Sequence, residues 1–240
     1  MTKKLLFISM LGEYEHFKPE LFSSLCQSGL ERDWILDWHS ALATQCGLQM
    51  SAIDICRGDT LPAADEISSV VLGGTMHVIT ERRKWLDDLR AWLPVYKRTG
   101  NPLLSICGGH QMLASQYGEG RLTGRSKGAL TGTYEITLTE AGVSHPLFSG
   151  MPIAPRFHFA NYLHIIPSVD QESGVLAIQE GSPAIAIDYG GNWFSCQFHP
   201  ESRKDSWDIY YGALEEGYVS AYMVDHHGQQ LLENFFRFSS

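Results

Sequence analysis

Short apolar runs alternate with amphipathic stretches through the first hundred residues of the chain. The apolar runs are bounded by polar residues and glycine, and they predict buried strands at Lys4–Met10, Leu48–Ile55 and Val70–Leu72. The stretches between them carry apolar residues at helical spacing, which predicts helices at Glu20–Ser28, Trp34–Cys46 and Arg82–Arg98. This strand–helix–strand order favours a parallel sheet with right-handed crossovers. Pro94 lies inside the last of these predicted helices, and because it lacks an amide N–H we expect it to kink or split that helix.

The second half of the chain has a different pattern. From about Gly132 the sequence becomes β-rich, which predicts strands at Thr133–Leu138, Leu163–Ile166, Gly174–Gln179, Ala184–Tyr189 and Trp193–Phe198. Residues 190–192, Gly-Gly-Asn, read as the turn of a hairpin, and a closing helix is predicted at Gln229–Arg237.

The segment around Cys107 has the pattern of a strand that turns sharply into a helix. The apolar run Leu103–Ile106 predicts a strand that stops at Cys107, and Gly108 and Gly109 precede a helix-like stretch. This order of strand, nucleophile and helix holds a nucleophile at the top of an α/β sheet. A thiol there attacks a carbonyl when a base takes its proton and backbone N–H groups stabilise the oxyanion.

A candidate base, His199, lies 92 residues after Cys107. Glu201 follows it closely and supplies a carboxylate to orient the imidazole ring. Only the fold can bring residues so far apart in sequence together. A short apolar run that ends in Gly73 and Gly74 adds a second glycine turn before the cysteine.

These three segments together resemble the class I glutamine amidotransferases, a family with a Cys-His-Glu triad. The family's G-x-C-x-G-x-Q pattern is matched from Ser105 to Gln111, with serine in place of the first glycine. Its H-P-E pattern is intact at 199–201, and its strand that ends in two glycines matches 70–74. The stand-alone, GMP-synthase-like branch is the most similar. The resemblance implies one flavodoxin-like domain over residues 1–240, a three-layer α/β/α structure with a mostly parallel central sheet and added β-hairpins.

The resemblance also implies a role for each matching residue. Cys107 is expected to attack the γ-carboxamide of L-glutamine, with His199 as the acid and base and Glu201 orienting the ring. The expected oxyanion and substrate-binding residues are Gly73, Gly74, Gly108, Gln111 and His158, the last where relatives carry a histidine-containing loop. This chemistry requires neither a metal nor an organic cofactor.

Composition narrows the function classes further. The net charge is −9 and no Lys/Arg cluster is present, which argues against a nucleic-acid-binding surface. No apolar stretch reaches the ~18 residues that a membrane span needs. The five cysteines are an odd number without metal-binding spacing or a secretory signal, which predicts reduced thiols in a cytoplasmic protein.

Residues 202–227 separate the H-P-E pattern from the closing helix, whereas family members pass quickly from one to the other. We expect this insertion to be either an extra helix packed on the domain or a lid or partner-docking surface. It carries five aromatic residues, Trp207, Tyr210, Tyr211, Tyr218 and Tyr222.

The fate of the ammonia leaves three functions open. No G-x-x-x-x-G-K-[ST] pattern is present, and we expect 240 residues to leave no room for an ATP-binding synthase. The first function is therefore that of a glutaminase subunit that passes ammonia to a separate synthase. The second is a stand-alone γ-glutamyl hydrolase or peptidase that uses the same three residues. The third is a non-catalytic binding or regulatory module, against which the intact Cys107, His199 and Glu201 weigh.

Overall fold

A computed structural model describes residues 2–118 and 120–240. Twelve strands lie in those ranges: β1 (Lys3–Ser9), β2 (Leu48–Asp54), β3 (Ser69–Leu72), β4 (Leu103–Ile106), β5 (Arg121–Gly124), β6 (Leu130–Glu135), β7 (Thr137–Leu138), β8 (Arg156–Asn161), β9 (Leu163–Ile166), β10 (Val175–Gln179), β11 (Ser182–Asp188) and β12 (Trp193–Cys196). The six α-helices of the same ranges are α1 (Glu31–Gln45), α2 (Lys84–Lys97), α3 (Gly108–Tyr117), α4 (Glu140–Ser144), α5 (Lys204–Leu214) and α6 (Gly228–Ser239). None of these helices is long and apolar enough to cross a membrane.

The main sheet runs in the order β2-β1-β3-β4-β12-β11-β10-β7. Its first five strands are parallel to one another. β11, β10 and β7 continue it in antiparallel pairs, and β9 and β5 branch from β11. β6 and β8 form a separate two-stranded sheet. The parallel part places the carboxyl ends of β3, β4 and β12 side by side.

Helices cover both faces of the parallel strands. Successive side chains of a strand point to opposite faces, so Leu5 and Phe7 of β1 join one core while Leu6 and Ile8 join the other. Residues of α1 and α6 complete the first core, and residues of α2 and α3 complete the second. The expected flavodoxin-like, three-layer α/β/α architecture is therefore confirmed.

α2 is a single helix that contains Pro94, so the expectation that proline splits it is wrong. Its apolar face, Leu86, Leu89, Leu93 and Tyr96, is completely buried against the sheet. Burial of a large apolar side chain contributes about 1.5–3 kcal/mol. Four such residues outweigh the one hydrogen bond that proline removes.

The predicted helix at Glu20–Ser28 is also wrong. A short 3₁₀ turn over Pro19–Phe22 is followed by turns. Phe22 packs with its ring 5.0 Å from that of Trp34 in α1, which anchors the segment at one point. The three serines that follow compete with a helical backbone for hydrogen bonds, and Gly29 turns the chain into α1 at φ +65°.

The predicted strand at Thr133–Leu138 is two strands in different sheets. β6 pairs with β8, whereas β7 pairs with β10. Between them, Ile136 donates its N–H to the carbonyl of Pro155 at 3.0 Å, so the chain passes from one sheet to the other there. β8 was not predicted because residues 157–159 are all buried, which removes the alternation that marks a half-exposed strand.

Two other elements agree with the sequence. The turn at residues 190–192 joins β11 to β12 as an antiparallel hairpin, and Asn192 adopts a φ of 68° there. α6 spans the predicted closing helix at Gln229–Arg237.

Candidate active site

Cys107 lies at the turn between β4 and α3. Its φ of 51° and ψ of −108° are rare for a residue with a side chain, and such a conformation costs about 1–3 kcal/mol. Its N–H donates to the carbonyl of Cys196 in β12 at 2.8 Å, and its carbonyl accepts the N–H of Gln111 at 3.0 Å. A strand on one side and a helix on the other therefore hold the strained turn in place.

The two residues after the thiol must be glycine because other segments approach them closely. A Cβ on Gly108 would overlap the side chain of Thr75, and a Cβ on Gly109 would overlap Oγ of Ser105. Ser105, which replaces the glycine of the G-x-C-x-G-x-Q pattern, is fully buried behind this turn. The space its hydroxyl occupies is available because Gly109 has no side chain.

Gly74 brings the second glycine turn against the thiol. A Cβ on Gly74 would lie 3.2 Å from Cβ of Cys107 and 3.0 Å from Cε1 of His199. Gly74 therefore lies close to both side chains and leaves no room for a side chain of its own. The N–H of Gly108 is among the first of α3, and the first N–H groups of a helix have no acceptor within that helix. Gly108 directly follows Cys107, and Gly74 lies close to Cβ of Cys107, so both predicted oxyanion residues are neighbours of the cysteine.

His199 follows β12, and its Nδ1 lies 2.7 Å from Oε1 of Glu201. Because a carboxylate only accepts hydrogen bonds, Nδ1 donates and Nε2 is left to accept a proton. Nε2 is buried, and an interaction of the ring with the side chain of Cys107 favours its protonation. His39 of α1 steadies the carboxylate residue, since its Nε2–H donates to the backbone carbonyl of Glu201 at 2.9 Å.

The charges around His199 favour its protonated form. Burial by itself lowers the pKa of the ring, but the negative charges of Glu201 and of ionised Cys107 outweigh burial and hold that pKa well above its ordinary value. The site therefore favours a protonated imidazole at His199.

The three segments converge because each follows one of three neighbouring parallel strands. Ser105 of β4 pairs with Leu72 of β3, and Ile106 of β4 pairs with Cys196 of β12. The strands therefore end at nearly the same level. Residues just beyond the carboxyl ends of such strands line the crevice where open α/β sheets bind ligands.

A family model for class I glutamine amidotransferases matches residues 54–213, two thirds of the chain. The chain belongs to this family. The glutamine-hydrolysing GMP synthase of Aeropyrum pernix is 33% identical over 146 residues, which cover 61% of this chain and 26% of that protein. The HisH subunit of imidazole glycerol phosphate synthase from Methanosarcina barkeri is 28% identical over 130 residues, which cover 49% of this chain and 64% of that subunit. The chain thus spans about a quarter of the first relative and under two thirds of the second.

A solved structure shares the fold over the whole length of this chain. The crystal structure of a glutamine amidotransferase from Thermotoga maritima superposes with a TM-score of 0.71 and covers 100% of this chain and 98% of that one. The identity is 18%, so the likeness shows the fold alone.

A cavity of about 380 Å³ opens beside the thiol of Cys107. Cys107, His199 and Gln111 all line it. The side-chain amide of Gln111 is fixed, because its Nε2 donates to Oε1 of Gln197 at 3.1 Å and to the carbonyl of Leu163 at 3.3 Å. The cavity therefore joins the thiol, the imidazole and an ordered amide.

Gly73 lies one step behind that cavity, outside its described lining. Its N–H donates to the carbonyl of Ile8 at 2.9 Å, which continues the pairing between β3 and β1. A Cβ on Gly73 would meet the ring of Phe7 at 3.1 Å. The absence of a side chain at Gly73 therefore lets the chain pack closely against β1 just before Gly74.

His158 is also absent from the described lining of the cavity. It is fully buried in β8, and burial lowers its pKa to about 4. Its Nε2–H donates to the carbonyl of Met223 at 3.0 Å, and its Nδ1 lies 3.0 Å from Oγ of Ser202. The carbonyl of His158 accepts the N–H of His199 at 2.8 Å, so the residue supports the imidazole from behind.

The sequence left residues 202–227 as either an extra helix packed on the domain or a lid or partner-docking surface. In the structure, this insertion forms one wall of the cavity. α5 packs on the domain, and four of its residues line the cavity, Trp207, Tyr210, Tyr211 and Leu214. Trp207 packs edge-on against His199 with the ring centroids 4.9 Å apart. The 3- and 4-residue spacing of the four residues is a sequence signal for one helix face.

Glu31 is a site neighbour that no sequence pattern marked. It begins α1, is 6% exposed, and accepts a hydrogen bond from Oγ of Ser9 at 2.6 Å. Burial raises the pKa of this carboxyl to about 8, and the charge of Glu201 adds to the effect. Glu31, His199 and Glu201 line a second, smaller cavity of about 50 Å³. A neutral carboxylic acid thus lies behind the imidazole near pH 7.

His226 and His227, which are adjacent in the sequence, both accept hydrogen bonds from the backbone. Nδ1 of His226 accepts the N–H of Gly228 at 3.2 Å, and Nδ1 of His227 accepts the N–H of Arg156 at 3.0 Å. Within residues 2–118 and 120–240, no cluster of three or more His, Cys, Asp or Glu is placed to hold a metal ion.

Proposed function

We propose that this amidotransferase hydrolyses the γ-carboxamide of L-glutamine through a γ-glutamyl thioester on Cys107. One observation carries the proposal. Cys107 in its strained turn and the Glu201-bound imidazole of His199 lie on the same side of Gly74, where an added Cβ would come within 3.2 Å of Cβ of Cys107 and 3.0 Å of Cε1 of His199.

Acylation is the first half of the reaction. His199 takes the thiol proton at Nε2, and the thiolate attacks the γ-carbonyl carbon of glutamine. The backbone N–H groups of Gly74 and Gly108 stabilise the negative oxygen that forms. The C–N bond then breaks, and the imidazolium gives its proton to the leaving nitrogen, which departs as ammonia.

Hydrolysis of the thioester is the second half. His199 takes a proton from water, and the resulting hydroxide attacks the γ-glutamyl carbonyl. The C–S bond breaks, glutamate leaves, and the proton returns to the sulfur of Cys107. Glutamine and water are consumed and glutamate and ammonia are formed, with no change of oxidation state.

The raised pKa of His199 supports this cycle. The ring must hold a proton while the thiolate attacks and release it to a departing amine. Negative charge on Cys107 and Glu201 favours the protonated ring, and Nδ1 donation to Glu201 fixes which nitrogen exchanges the proton.

We further propose that a separate synthase receives the ammonia. The proposal is supported by HisH of Methanosarcina barkeri, which is by name a subunit of imidazole glycerol phosphate synthase. A partner of this kind would raise the glutaminase rate of this chain when added.

A stand-alone γ-glutamyl hydrolase is the second candidate function. The cavity of about 380 Å³ favours it, because that volume falls in the range of pockets for drug-sized ligands. Glutamine offers only ammonia as its leaving group and would leave the wall of α5 without a contact.

The deciding experiment measures ammonia and glutamate release from L-glutamine and from γ-glutamyl peptides. Cys107→Ala should abolish both, whereas Cys46→Ala, which removes another buried thiol outside the cavity lining, should retain them. A γ-glutamyl electrophile should label wild type at Cys107 and leave Cys107→Ala unlabelled. A Cys107→Ala variant with full activity, or a wild type that neither turns over nor becomes labelled, would reject the proposal in favour of a non-catalytic module.

A further inference from the structure

One face of α5 forms an apolar wall of the active-site cavity. Tyr210 and Tyr211 lie three and four residues after Trp207, and Leu214 lies seven residues after it, so the four side chains lie on one side of the helix. All four line the cavity that contains the thiol. Ile209, on another side of the helix, packs against the main core instead.

This wall lies where the leaving group of a γ-glutamyl amide must pass. His199 protonates the leaving nitrogen in the proposed reaction, so that nitrogen comes within hydrogen-bond reach of the ring. Trp207 packs 4.9 Å from the same ring, centroid to centroid. A substituent on the leaving nitrogen would therefore extend from His199 toward the wall of α5.

The wall is held in place by several contacts. The indole N–H of Trp207 donates to Oγ of Ser202 at 2.8 Å, and its ring stacks on Tyr222 at 5.0 Å with an interplanar angle of 8°. The hydroxyl of Tyr222 donates to the carbonyl of Phe159 at 2.8 Å. An ordered apolar surface binds a ligand without first losing the entropy of its side chains.

The chemistry of the lining excludes charge from this side of the cavity. Leu11, Met76 and Val78 add apolar surface, the polar residues Thr75 and Asn161 are uncharged, and the described lining contains no Lys, Arg, Asp or Glu. His77 also lines it, but burial lowers the pKa of that ring and its Nε2 accepts the N–H of Glu13 at 3.1 Å, so it is neutral. A carboxylate on the leaving group would find no cationic partner, and an unpaired charge in such a place is costly.

We propose that the α5 wall is a leaving-group subsite for γ-glutamyl amides of uncharged aromatic or apolar amines. The inference rests on the proposed γ-glutamyl chemistry at Cys107 and names the substrate class for it. It separates this site from one built for γ-glutamyl amino acids, whose leaving groups carry a carboxylate.

A matched pair of substrates tests the inference. γ-Glutamyl-2-phenylethylamide and γ-glutamyl-phenylalanine differ only in the carboxylate on the leaving amine, and L-glutamine reports the chemistry without a substituent. We expect kcat/KM for the phenylethylamide to exceed that for each of the other two by about tenfold to 200-fold, the range for contacts in an apolar pocket.

Variants of α5 link the preference to the wall. Leu214, at the cavity rim, is 65% exposed, so Leu214→Ala should leave the fold intact. It should lower the kcat/KM ratio of phenylethylamide to glutamine by about threefold to tenfold. Leu214→Arg should shift the preference toward γ-glutamyl-phenylalanine by supplying a cation. Ile209→Ala is the matched control, because it truncates the same helix away from the cavity and should keep the ratio within twofold.

Binding to Cys107→Ala gives a second measurement that needs no turnover. Calorimetry should find a lower Kd for the phenylethylamide than for the phenylalanine conjugate. Cys107-dependent turnover of glutamine together with equal kcat/KM and equal Kd for the matched pair would overturn the subsite and leave the proposed function standing. Absence of γ-glutamyl turnover, of labelling at Cys107 and of binding would overturn both.

Discussion

Gly74 sets the spacing between the thiol and the imidazole, and Gly74→Ala tests how finely that spacing matters. The added Cβ would lie 3.0 Å from Cε1 of His199 and 3.2 Å from Cβ of Cys107. Carbon atoms in favourable contact are about 3.5–4.0 Å apart, so the imidazole must retreat by about 0.5–1 Å. A misplacement of about 1 Å in a catalytic group costs about a hundredfold in rate. We expect kcat for glutamine hydrolysis to fall about tenfold to a hundredfold.

The assay combines ammonia release at saturating glutamine with thermal unfolding. Overpacking of this kind costs about 1–3 kcal/mol, so the variant should remain folded at 25 °C with a Tm lower by several degrees. Gly124→Ala is the control, because its added Cβ would meet no atom within 4 Å, and we expect wild-type kcat and Tm. A Gly74→Ala variant with kcat within twofold of wild type would refute the inference that this backbone fixes the spacing.

Three further predictions concern charge and packing near the thiol. Glu201→Gln removes a charge that raises the pKa of His199, and kcat in a pH–rate profile should fall about 10²–10⁴-fold. In pH-dependent melts, the stability that this variant loses relative to wild type should be largest below pH 6.5 and should shrink as the pH rises through the folded pKa of His199. Burial raises the pKa of Glu31 from 4.5 to about 8, so the free energy of unfolding of wild type should fall as the pH rises through that window. In urea titrations, Glu31→Gln should match wild type at pH 4 and should exceed its free energy of unfolding by on the order of 3–5 kcal/mol at pH 9. Gly109→Ala should destabilise the protein by about 1–3 kcal/mol because its Cβ overlaps Oγ of Ser105, and adding Ser105→Gly should recover about 1 kcal/mol or more in a double-mutant cycle; strict additivity of the two changes would contradict that contact.

The sequence predicted the fold class because its strongest signals are local. Apolar runs and helical spacing fixed β1, β2, β3, β4, α1 and α2, and the glycine turn fixed the β11–β12 hairpin. Its errors came where one tertiary contact overrode local pattern. Phe22 pins the segment at Glu20–Ser28 to α1 without a helix, and the passage of the chain between two sheets at Ile136 divides a single apolar run.

The candidate site divides in the same way. Cys107, His199 and the Gly73-Gly74 turn each follow a strand that the sequence predicts, but the sequence did not indicate that these strands are neighbours in one sheet. The structure brings them together at one edge of the sheet, and their catalytic roles remain proposals. Glu31 and the wall of α5 belong to the site through contacts that no local pattern encodes.

By itself, then, the sequence determined the family and the α/β architecture, because the motifs and the signals for strands and helices are written in local pattern. Only the tertiary structure decided the environment of the candidate site. The pKa of His199 depends on burial and on neighbouring charges, the backbone of Glu201 is held by a histidine 162 residues away, and the apolar face of α5 acquires a role only by lying against the imidazole. Solvation and charge act through space, and the sequence records neighbours only along the chain.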